Sequence, residues 1–405
     1  MSADVHDYSR KLRHPAVHAA VEVTVRADVA KRRGSLRDAL LPRLAAARAP
    51  LSINLDLTVA CNYACGHCID LPMLNTGHRF SEGDALRSLT VLRLAGLRSV
   101  ILIGGGEPTM HPRFGEVVAA VKALGLQCAI VSNGSNNERI REVARYFTRG
   151  DWVRLSLDAA TNHTFQEMHA PRRKSLTLEK ICASASTIKG ENAAFTLGFS
   201  YIVAWEGSSV TGRSVADNID EMAAAARLAK GSGFDFIAFK PLLDRDASGG
   251  ERVGFLDEAA GRRALQQRLT EQLDAARAVA DGRFRVLVSV NLEAIDDGSD
   301  AEQLRRQPRR CHMHLMRQVL TPTGVYGCPV YRDQSKDQIG APDLYSSADD
   351  FLTGHRLMRE LHERFDAEVE CEKMSCIYNA TNWWLESVRN GAAIVPSAPT
   401  LDFFL

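Results

Sequence analysis

The sequence predicts an α/β protein built on a parallel β-sheet, and two features support this class. The composition is ordinary for a folded globular protein, with 45% apolar and 24% charged residues among 405. From residue 51, short β-rich runs alternate with helical patterns. Strands that alternate with helices usually pair in parallel, because each helix returns the chain to the same end of the sheet. The alternation is compatible with an open doubly wound sheet and with a full or partial barrel.

Six strands form the predicted core of this sheet. They lie at 52–58, 98–103, 127–132, 152–157, 195–203 and 235–239. The helical patterns between them lie near 81–95, 113–124, 136–148, 177–189 and 216–230. In either kind of fold, ligands bind at the carboxyl ends of the strands. The residues that follow each strand are therefore the most informative about function.

The flanking segments have different patterns. Residues 1–50 predict two helices joined at Gly34-Ser35. Residues 241–260 predict a loop, which is followed by a helix near 258–280, a strand at 284–291 and a linker at 296–300. In the C-terminal region, 318–321 and 325–328 predict a β-hairpin around Pro322-Thr323-Gly324.

The chain is therefore divided into four parts. These are an N-terminal helical segment at 1–50, a core at 51–240, a helix and strand connection at 241–300, and a small C-terminal α+β domain at 301–405, with a β-hairpin and a helix.

Charge and hydropathy exclude several classes of function. Fifty basic and 49 acidic residues give a net charge of +1, so no global field favours nucleic acid. No apolar run reaches the ~18 residues that a membrane span needs. The first residues are polar, with no apolar stretch behind a basic start as in an export signal. We expect a cytoplasmic protein with neither a nucleic-acid nor a membrane partner.

Nine cysteines in a cytoplasmic chain need an explanation other than disulfides. Seven of them form two groups: Cys61, Cys65 and Cys68, then Cys311, Cys328, Cys371 and Cys376. Such grouping indicates metal binding. Cys128 and Cys182 stand alone in apolar patterns and are expected to be core residues.

The first group directly follows the first predicted strand and reads Cys61-Asn-Tyr-Ala-Cys65-Gly-His-Cys68. Three thiolates at this spacing can hold three irons of a [4Fe–4S] cluster and leave the fourth iron open to a small molecule. The alternatives are a zinc site completed by His67 or His78, or buried structural thiols.

The ends of the next three strands also carry distinctive residues. The second reads Gly104-Gly105-Gly106-Glu107-Pro108, the third Ser132-Asn133-Gly134-Ser135, and the fourth Ser156-Leu157-Asp158-Ala159. In this order, the four strand ends resemble the radical S-adenosylmethionine (SAM) superfamily over about residues 51–240. Ala159 departs from the pattern, which usually has glycine there.

The resemblance implies a partial (β/α)6 TIM-type barrel that binds SAM and a [4Fe–4S] cluster. The catalytic cluster ligands would be Cys61, Cys65 and Cys68, and the Gly105-Gly106-Glu107-Pro108 segment would receive the SAM amino group. The other SAM contacts it implies are His67 beside the adenine, Ser132, Asn133, Ser156, Asp158 and His169. His169 with Arg172 and Arg173 could instead be a solvated charge run.

The resemblance also implies the reaction. An electron from the reduced cluster breaks a carbon–sulfur bond of SAM, and the resulting 5′-deoxyadenosyl radical removes a hydrogen atom from an unactivated C–H bond. A flavodoxin or ferredoxin would supply the electron.

The second cysteine group, with Cys311, Cys328, Cys371 and Cys376, could ligate a second [4Fe–4S] cluster or a structural zinc. Behind such a core it resembles the SPASM and twitch extensions, which carry auxiliary clusters. Four cysteines fit the shorter twitch version. The spacing of four residues between Cys371 and Cys376 is wider than expected, so His312, His314 or a substrate atom could take one ligand position.

An auxiliary cluster favours net oxidation of the substrate. Peptide-modifying members of the family that the chain resembles often carry an N-terminal peptide-recognition domain, and residues 1–50 are too short and too helical for one. The expected substrate is therefore a small polar metabolite such as a sugar, an aminoglycoside or a nucleoside. A peptide maturase that forms a crosslink or thioether, an epimerase that uses Cys371 or Cys376 as hydrogen donor, and, remotely, a zinc-binding interaction protein are the alternatives. Candidate substrate contacts are Tyr201, Glu206, Lys240, Arg317 and Tyr326. Trp383 and Trp384 are expected to pack.

Overall fold

The structure is a computed structural model that describes residues 8–32, 48–190, 192–245, 249–253, 259–297 and 301–396. The strands are β1 (Ser52–Leu55), β2 (Ser99–Leu102), β3 (Gln127–Ser132), β4 (Trp152–Ser156), β5 (Thr196–Val203), β6 (Ser209–Val210), β7 (Arg213–Ser214), β8 (Phe236–Pro241), β9 (Leu243–Arg245), β10 (Glu251–Val253), β11 (Arg285–Val288), β12 (Arg317–Thr321), β13 (Gly324–Tyr326) and β14 (Gln338–Gly340).

The α-helices follow in the same chain order. They are α1 (Tyr8–Leu12), α2 (His18–Arg32), α3 (Glu82–Leu94), α4 (Phe114–Ala123), α5 (Asn137–Ala144), α6 (Asn162–His169), α7 (Leu178–Ala185), α8 (Met222–Gly231), α9 (Ala259–Arg277), α10 (Val290–Asp296), α11 (Met313–Met316), α12 (Ala348–Arg364), α13 (Ala367–Glu370) and α14 (Asn379–Arg389). No helix in the described part of the chain is long and apolar enough to cross a membrane.

One ten-stranded sheet organises the molecule. Its order is β11-β8-β5-β4-β3-β2-β1-β12-β13-β14, and every pair from β11 to β12 is parallel. The six predicted core strands are present as β1 to β5 and β8. The α/β class and the partial-barrel architecture are confirmed, and no closed barrel forms among the described strands.

The sheet continues beyond the core that the sequence predicts. The predicted strand at 284–291 is β11, which pairs with β8, and its last residues begin α10 instead. The first strand of the predicted hairpin, β12, pairs in parallel with β1. The C-terminal region therefore shares a sheet with the core through β12.

Three local expectations differ from the structure. The predicted first helix is two helices, α1 and α2, and the predicted second helix lies within 33–47, outside the described residues. The predicted loop at 241–260 contains an antiparallel pair, β9 and β10. The predicted linker at 296–300 begins at the end of α10, and 298–300 are not described.

The two faces of the sheet pack differently. Alternate residues such as Val153 and Leu155 of β4 belong to the main core under the helices. The opposite, inner face carries a small separate apolar cluster in which Ile101 and Ala129 pack with Trp152. The residues of β4 beyond Trp152 on this inner face, Arg154 and Ser156, are polar and partly exposed.

Candidate functional site

The loop that follows β1 holds the first cysteine group in place. The backbone N–H of Cys61 donates to Asn75 Oδ1 at 3.0 Å, and the chain returns alongside itself through a bridge between Thr58 and Arg79. Cys61, Cys65 and Cys68 are all partly buried. Burial raises the pKa of each thiol, that of Cys68 to about 12. Thiolates at this site therefore need a nearby positive charge, as a metal cluster provides.

The glycine-rich segment after β2 lies directly against this loop. A Cβ on Gly106 would lie 2.3 Å from the carbonyl oxygen of Ala60, so only glycine allows this approach. The next N–H, that of Glu107, donates to the same oxygen at 2.8 Å. Gly105 has φ +68°, a left-handed conformation that favours glycine. The two predicted motifs are thus joined by backbone contact.

Glu107 links the end of β2 to the end of β3. Its Oε1 accepts from the Thr109 N–H at 3.1 Å, the Thr109 hydroxyl at 2.6 Å and the Ser132 hydroxyl at 2.8 Å. Its Oε2 accepts from the Asn133 N–H at 2.7 Å. Burial raises the pKa of Glu107 although these donors oppose the shift. Oε2 retains capacity for one further donor, which fits the expected contact with an amino group.

Asp158, at the end of β4, is a buried carboxylate between two histidines. His169 Nε2 and His67 Nε2 lie 3.2 and 3.3 Å from its Oδ2, and its Oδ1 accepts from the Ile202 N–H at 2.7 Å. Burial alone would raise the pKa of Asp158, but the two histidines lower it below its ordinary value. The other ring nitrogen of His169, Nδ1, lies 3.3 Å from Cys65 Sγ. Asp158 therefore orients a histidine onto a cysteine of the first group.

The spread of the sulfur atoms tests which metal group fits. A single tetrahedral zinc with Zn–S bonds of about 2.3 Å would bring its sulfurs within about 4 Å of one another. Among the described residues, three potential ligand atoms lie mutually within 4.8 Å at Cys65, His67 and His169, and neither cysteine group contributes three sulfurs to such a set. Both groups are therefore spaced more widely than one zinc requires, which fits the larger [4Fe–4S] unit.

The four C-terminal cysteines line one cavity. Cys311 precedes α11, Cys328 follows β13, Cys371 follows α13 and Cys376 precedes α14. The rest of the lining is mainly apolar and includes Met313, Met374, Phe365 and Tyr331. Burial raises the pKa of the Cys328 thiol well above its ordinary value, and the other three thiols add to the shift. Four cysteines thus line one mainly apolar cavity.

A histidine and an aspartate also support the second group. His314 Nε2 lies 3.0 Å from Asp337 Oδ1, and Asp337 Oδ2 accepts from the Cys328 N–H at 2.6 Å. Burial alone would lower the pKa of His314, but Cys311 and Asp337 raise it to about 10. His312 is turned away from the cavity, with its Nε2 2.6 Å from Glu386 Oε2. Of the two histidines considered as ligands, His314 is therefore the one beside the cysteines.

Arg332 joins the two regions. Its Nε lies 2.7 Å from Asp56 Oδ2 at the end of β1, and its Nη1 lies 2.8 Å from Asp70 Oδ1, two residues after Cys68. Arg332 itself comes four residues after Cys328. All three side chains are largely buried. One guanidinium therefore fixes the first cysteine loop against the C-terminal region.

Comparison with known proteins agrees with this geometry. The model of the radical SAM superfamily matches residues 55–197. These residues form a radical SAM domain. They contain Cys61, Cys65 and Cys68 and the ends of β2, β3 and β4, so the resemblance seen in the sequence is confirmed.

Curated relatives match the same part of the chain. An S-adenosylmethionine-dependent nucleotide dehydratase from Thermoplasmatales archaeon (strain ISO4-H5) is 36% identical over 110 residues, which are 27% of this chain and 38% of the relative. The mycofactocin maturase MftC from Mycobacterium tuberculosis is 35% identical over 122 residues, which are 28% of this chain and 29% of the relative. The chain thus spans less than two fifths of the length of these relatives.

Solved structures extend the likeness beyond the radical SAM domain. SuiB from Streptococcus suis has a TM-score of 0.51 and 14% identity, covering 75% of this chain and 67% of SuiB. Native anSMEcpe with bound AdoMet and Cp18Cys peptide also has a TM-score of 0.51 and 14% identity, covering 84% of this chain and 99% of that chain. At this identity the likeness shows a shared fold.

Sequence reasoning missed Glu251, which lies beside the radical SAM domain in β10, within the predicted loop. Its carboxylate is buried, and its Oε1 makes no hydrogen bond with the described residues. Burial raises the pKa of Glu251 to about 7, with Asp70 adding to the shift and Arg245 opposing it. Burial also raises the pKa of Cys376, and the charge of Glu251 adds to that shift. Glu251 therefore lies between the two cysteine regions. The neighbours that shift its pKa are distant in the sequence, so the residues around Glu251 in the chain could not have identified it.

The predicted substrate contacts divide into two sets. Tyr201 belongs to β5, where its side chain is buried in the main core and donates to the Asn218 carbonyl at 2.7 Å. Glu206 is exposed. Arg317 lines the cysteine cavity and donates to Tyr378 Oη at 2.7 Å. Lys240 is on the inner face, and Tyr326 donates to Asp333 at 3.2 Å. The structure thus brings Arg317 and Lys240 towards the site and places Tyr201 and Glu206 elsewhere.

The residues expected to be structural are mostly so. Cys128 and Cys182 are 0% and 3% exposed in the main core. Trp384 packs under the Arg13 guanidinium, whereas Trp383 is 48% exposed and donates to the Arg306 carbonyl. The basic residues after α6 do not form one group with His169, because His169 points into the site and Arg172 and Arg173 are exposed.

Proposed function

We propose that this chain is a radical SAM oxidoreductase that acts on a small polar metabolite. The observation that carries the proposal is the arrangement of seven cysteines, three on the loop after β1 and four around one cavity, with Arg332 fixing one region against the other. In this proposal Cys61, Cys65 and Cys68 hold a [4Fe–4S] cluster, and Cys311, Cys328, Cys371 and Cys376 hold a second.

The bound cofactors supply the difficult chemistry: SAM on the first cluster is the source of a radical that removes hydrogen, and the second cluster is an electron acceptor. The chain positions them. Glu107 Oε2 offers an acceptor to the SAM amino group, and Ser132 and Asn133 hold that carboxylate in place. Asp158 orients His169 towards Cys65. His67 and Ser156 complete the expected SAM contacts.

Oxidation of a C–H bond also releases a proton, and Glu251 is placed to accept it. Its buried carboxylate has a pKa of about 7, and its Oε1 makes no hydrogen bond with the described residues, so it can bind and release a proton near neutral pH. Its backbone carbonyl accepts from the N–H of Ser375, the residue before Cys376, at 2.9 Å. A proton acceptor between the two cysteine regions supports oxidation over epimerisation, which needs a hydrogen donor instead.

The names of the relatives bear on the substrate class in this proposal. The relatives include nucleotide dehydratases and a mycofactocin maturase, and SuiB has been solved bound to a precursor peptide. A nucleoside-like metabolite agrees with the first of these. A peptide maturase is the alternative, in a cytoplasmic setting where a flavodoxin or ferredoxin provides the electron.

Metal analysis with a SAM-cleavage assay tests this function. Anaerobically purified full-length protein should contain about eight irons and eight sulfides per chain, and should form 5′-deoxyadenosine when given SAM and dithionite. About four irons with one zinc would overturn the second cluster and the electron-acceptor role. Zinc without iron after reconstitution, or no 5′-deoxyadenosine, would overturn the radical function itself.

A further inference from the structure

The inner face of β4 carries an arginine below the expected SAM contacts. Along this strand Trp152, Arg154 and Ser156 alternate with the core residues Val153 and Leu155. Trp152 belongs to the inner-face cluster, so Arg154 and Ser156 share that face. Arg154 precedes Ser156 by two residues, which places it about 7 Å deeper along the strand.

Among the residues that the structure describes, no carboxylate lies within 4.0 Å of Arg154. Its Cζ lies 5.4 Å from the centre of the Trp152 ring, and its Nε is buried without a hydrogen bond. Lys240, near the end of β8, also faces the inner side, since its neighbour Phe239 packs in the main core. Within the described residues, neither side chain has a carboxylate within 4.0 Å or a side-chain hydrogen bond.

The nearby acids make their close contacts with other groups. Asp56 is paired with Arg332, Glu107 accepts four hydrogen bonds, and Asp158 lies between two histidines. Burial lowers the pKa of both cations, and the charge of Asp158 opposes this shift only from beyond ion-pair distance. A largely desolvated cation without a partner is unfavourable, and a bound anion would relieve that cost.

We propose that Arg154 and Lys240 bind an anionic group of the substrate, a carboxylate or a phosphate, on the inner face of the sheet. This inference rests on the proposed function and narrows its substrate class, because a polycationic aminoglycoside would be repelled. Arginine offers paired N–H groups to such an anion and lysine adds a second charge. Burial, with the charge of Arg154, lowers the pKa of Lys240, and a bound anion would offset that repulsion.

The proposed ligand is the substrate and not the carboxylate of SAM. The SAM contacts that the sequence implies lie at the strand ends, at Ser132, Asn133, Ser156 and Asp158. Arg154 lies two residues before Ser156 on the same face of β4, deeper in the sheet than these contacts. The anion site therefore lies below the SAM site on the inner face of the sheet.

Calorimetric titration of the cluster-loaded full chain tests the inference, with inorganic pyrophosphate and succinate as the two anionic probes. In the presence of saturating SAM, at least one probe should bind. Arg154→Gln and Lys240→Met should each weaken that binding about tenfold or more, as expected for charge-assisted hydrogen bonds. Arg263→Gln and Lys174→Met, the same replacements at exposed positions, should change it less than twofold.

Additional measurements identify which molecule supplies the anion and test whether the variants are still folded. Arg154→Lys keeps the charge and should retain most of the probe binding. SAM affinity should be unaffected by Arg154→Gln and Lys240→Met. If these variants weaken SAM but not decarboxylated SAM, the site holds the SAM carboxylate and the inference is wrong. It is equally wrong if neither probe binds the wild type, or if the variants bind as well as the wild type. Because SAM cleavage by the wild type is measured separately, these failures are distinct from failure of the proposed function.

Discussion

The two cysteine groups are built in different ways although they share one supporting device. The first lies on a single loop of eight residues, from Cys61 to Cys68, directly after β1. The second is collected from four places between Cys311 and Cys376. In each, an aspartate holds a histidine near a cysteine: Asp158 and His169 beside Cys65, and Asp337 and His314 beside Cys311.

The difference shows what kind of site each is. Three cysteines on one loop would hold three corners of a cluster and leave the fourth to SAM, and the residues expected to contact SAM follow β2, β3 and β4. Four cysteines around an apolar cavity can close every corner of a cluster. The first group is therefore suited to bind and cleave SAM, and the second to transfer electrons or to stabilise the fold. The following predictions test this division.

Replacing a cysteine ligand should have the largest effect on SAM cleavage, and this effect should differ between the two cysteine groups. Cys65→Ala removes a ligand of the open cluster, so 5′-deoxyadenosine formation with dithionite should fall at least ~1000-fold, as when a chemical step loses its cofactor. Cys371→Ala should lose about half of the iron while SAM cleavage falls less than about tenfold.

Both quantities are measured on anaerobic preparations, by iron analysis and by chromatography of the nucleoside. Cys182→Ala, a core cysteine outside both groups, is the control for handling. Equal loss of SAM cleavage in the Cys65 and Cys371 variants would show that the two groups do not have separate roles.

Arg332→Met should have the largest effect on stability, because it leaves Asp56 and Asp70 as buried charges without their partner. Breaking a buried ion pair in this way costs about 3–5 kcal/mol. Denaturant unfolding of the metal-free protein, followed by circular dichroism, measures the loss. Arg113→Gln breaks an exposed pair with Glu116 and should leave the free energy of unfolding almost unchanged.

This variant also tests whether the two regions are joined. Since Arg332 contacts the ends of β1 and of the first cysteine loop, iron retention at both groups should fall together. Normal stability with both sites full would mean that the two regions are held together by the sheet alone.

Much of this arrangement could be read from local sequence. The six core strands, the glycine-rich segment and the first cysteine loop depend on neighbours within a few residues, and their patterns are visible in one dimension. The parallel pairing of β12 with β1, the ion pair of Arg332 with Asp56 and the position of Glu251 depend on residues far apart in the chain. Burial and charge at those positions arise only when the sheet brings the segments together.

Glu251 offers a pH test of the space between the groups. Its pKa in the folded chain is about 7, above the ordinary value of 4.5, so the folded state binds a proton more tightly than the unfolded state between these values. Stability therefore falls as pH rises from about 4.5 to 7, and Glu251→Gln should remove a penalty of about 3 kcal/mol at pH 8 that is absent at pH 4.

Unfolding at these two pH values measures the difference between the variant and the wild type. Glu206→Gln, an exposed replacement, should change stability by less than about 0.5 kcal/mol at either pH. A Glu251→Gln effect that does not depend on pH would show that the carboxyl group titrates normally and is a poor proton acceptor.

The smallest expected effect compares the two histidines. His169 Nδ1 lies 3.3 Å from Cys65 Sγ, and a proton on this nitrogen would stabilise the reduced, more negative cluster, so its loss would lower the reduction potential. His169→Phe should lower the potential of the first cluster by about 60 mV, which is a tenfold change in a one-electron equilibrium, and leave the second unchanged. His314→Phe should lower the potential of the second cluster and leave the first unchanged, and His163→Phe on the surface should change neither potential.

Redox titration followed by electron paramagnetic resonance measures the two potentials, and a Cys371→Ala background isolates the signal of the first cluster. A common shift of both potentials in either variant would show that the histidines act through the fold, whereas separate shifts would establish that each aspartate–histidine pair tunes its own cluster.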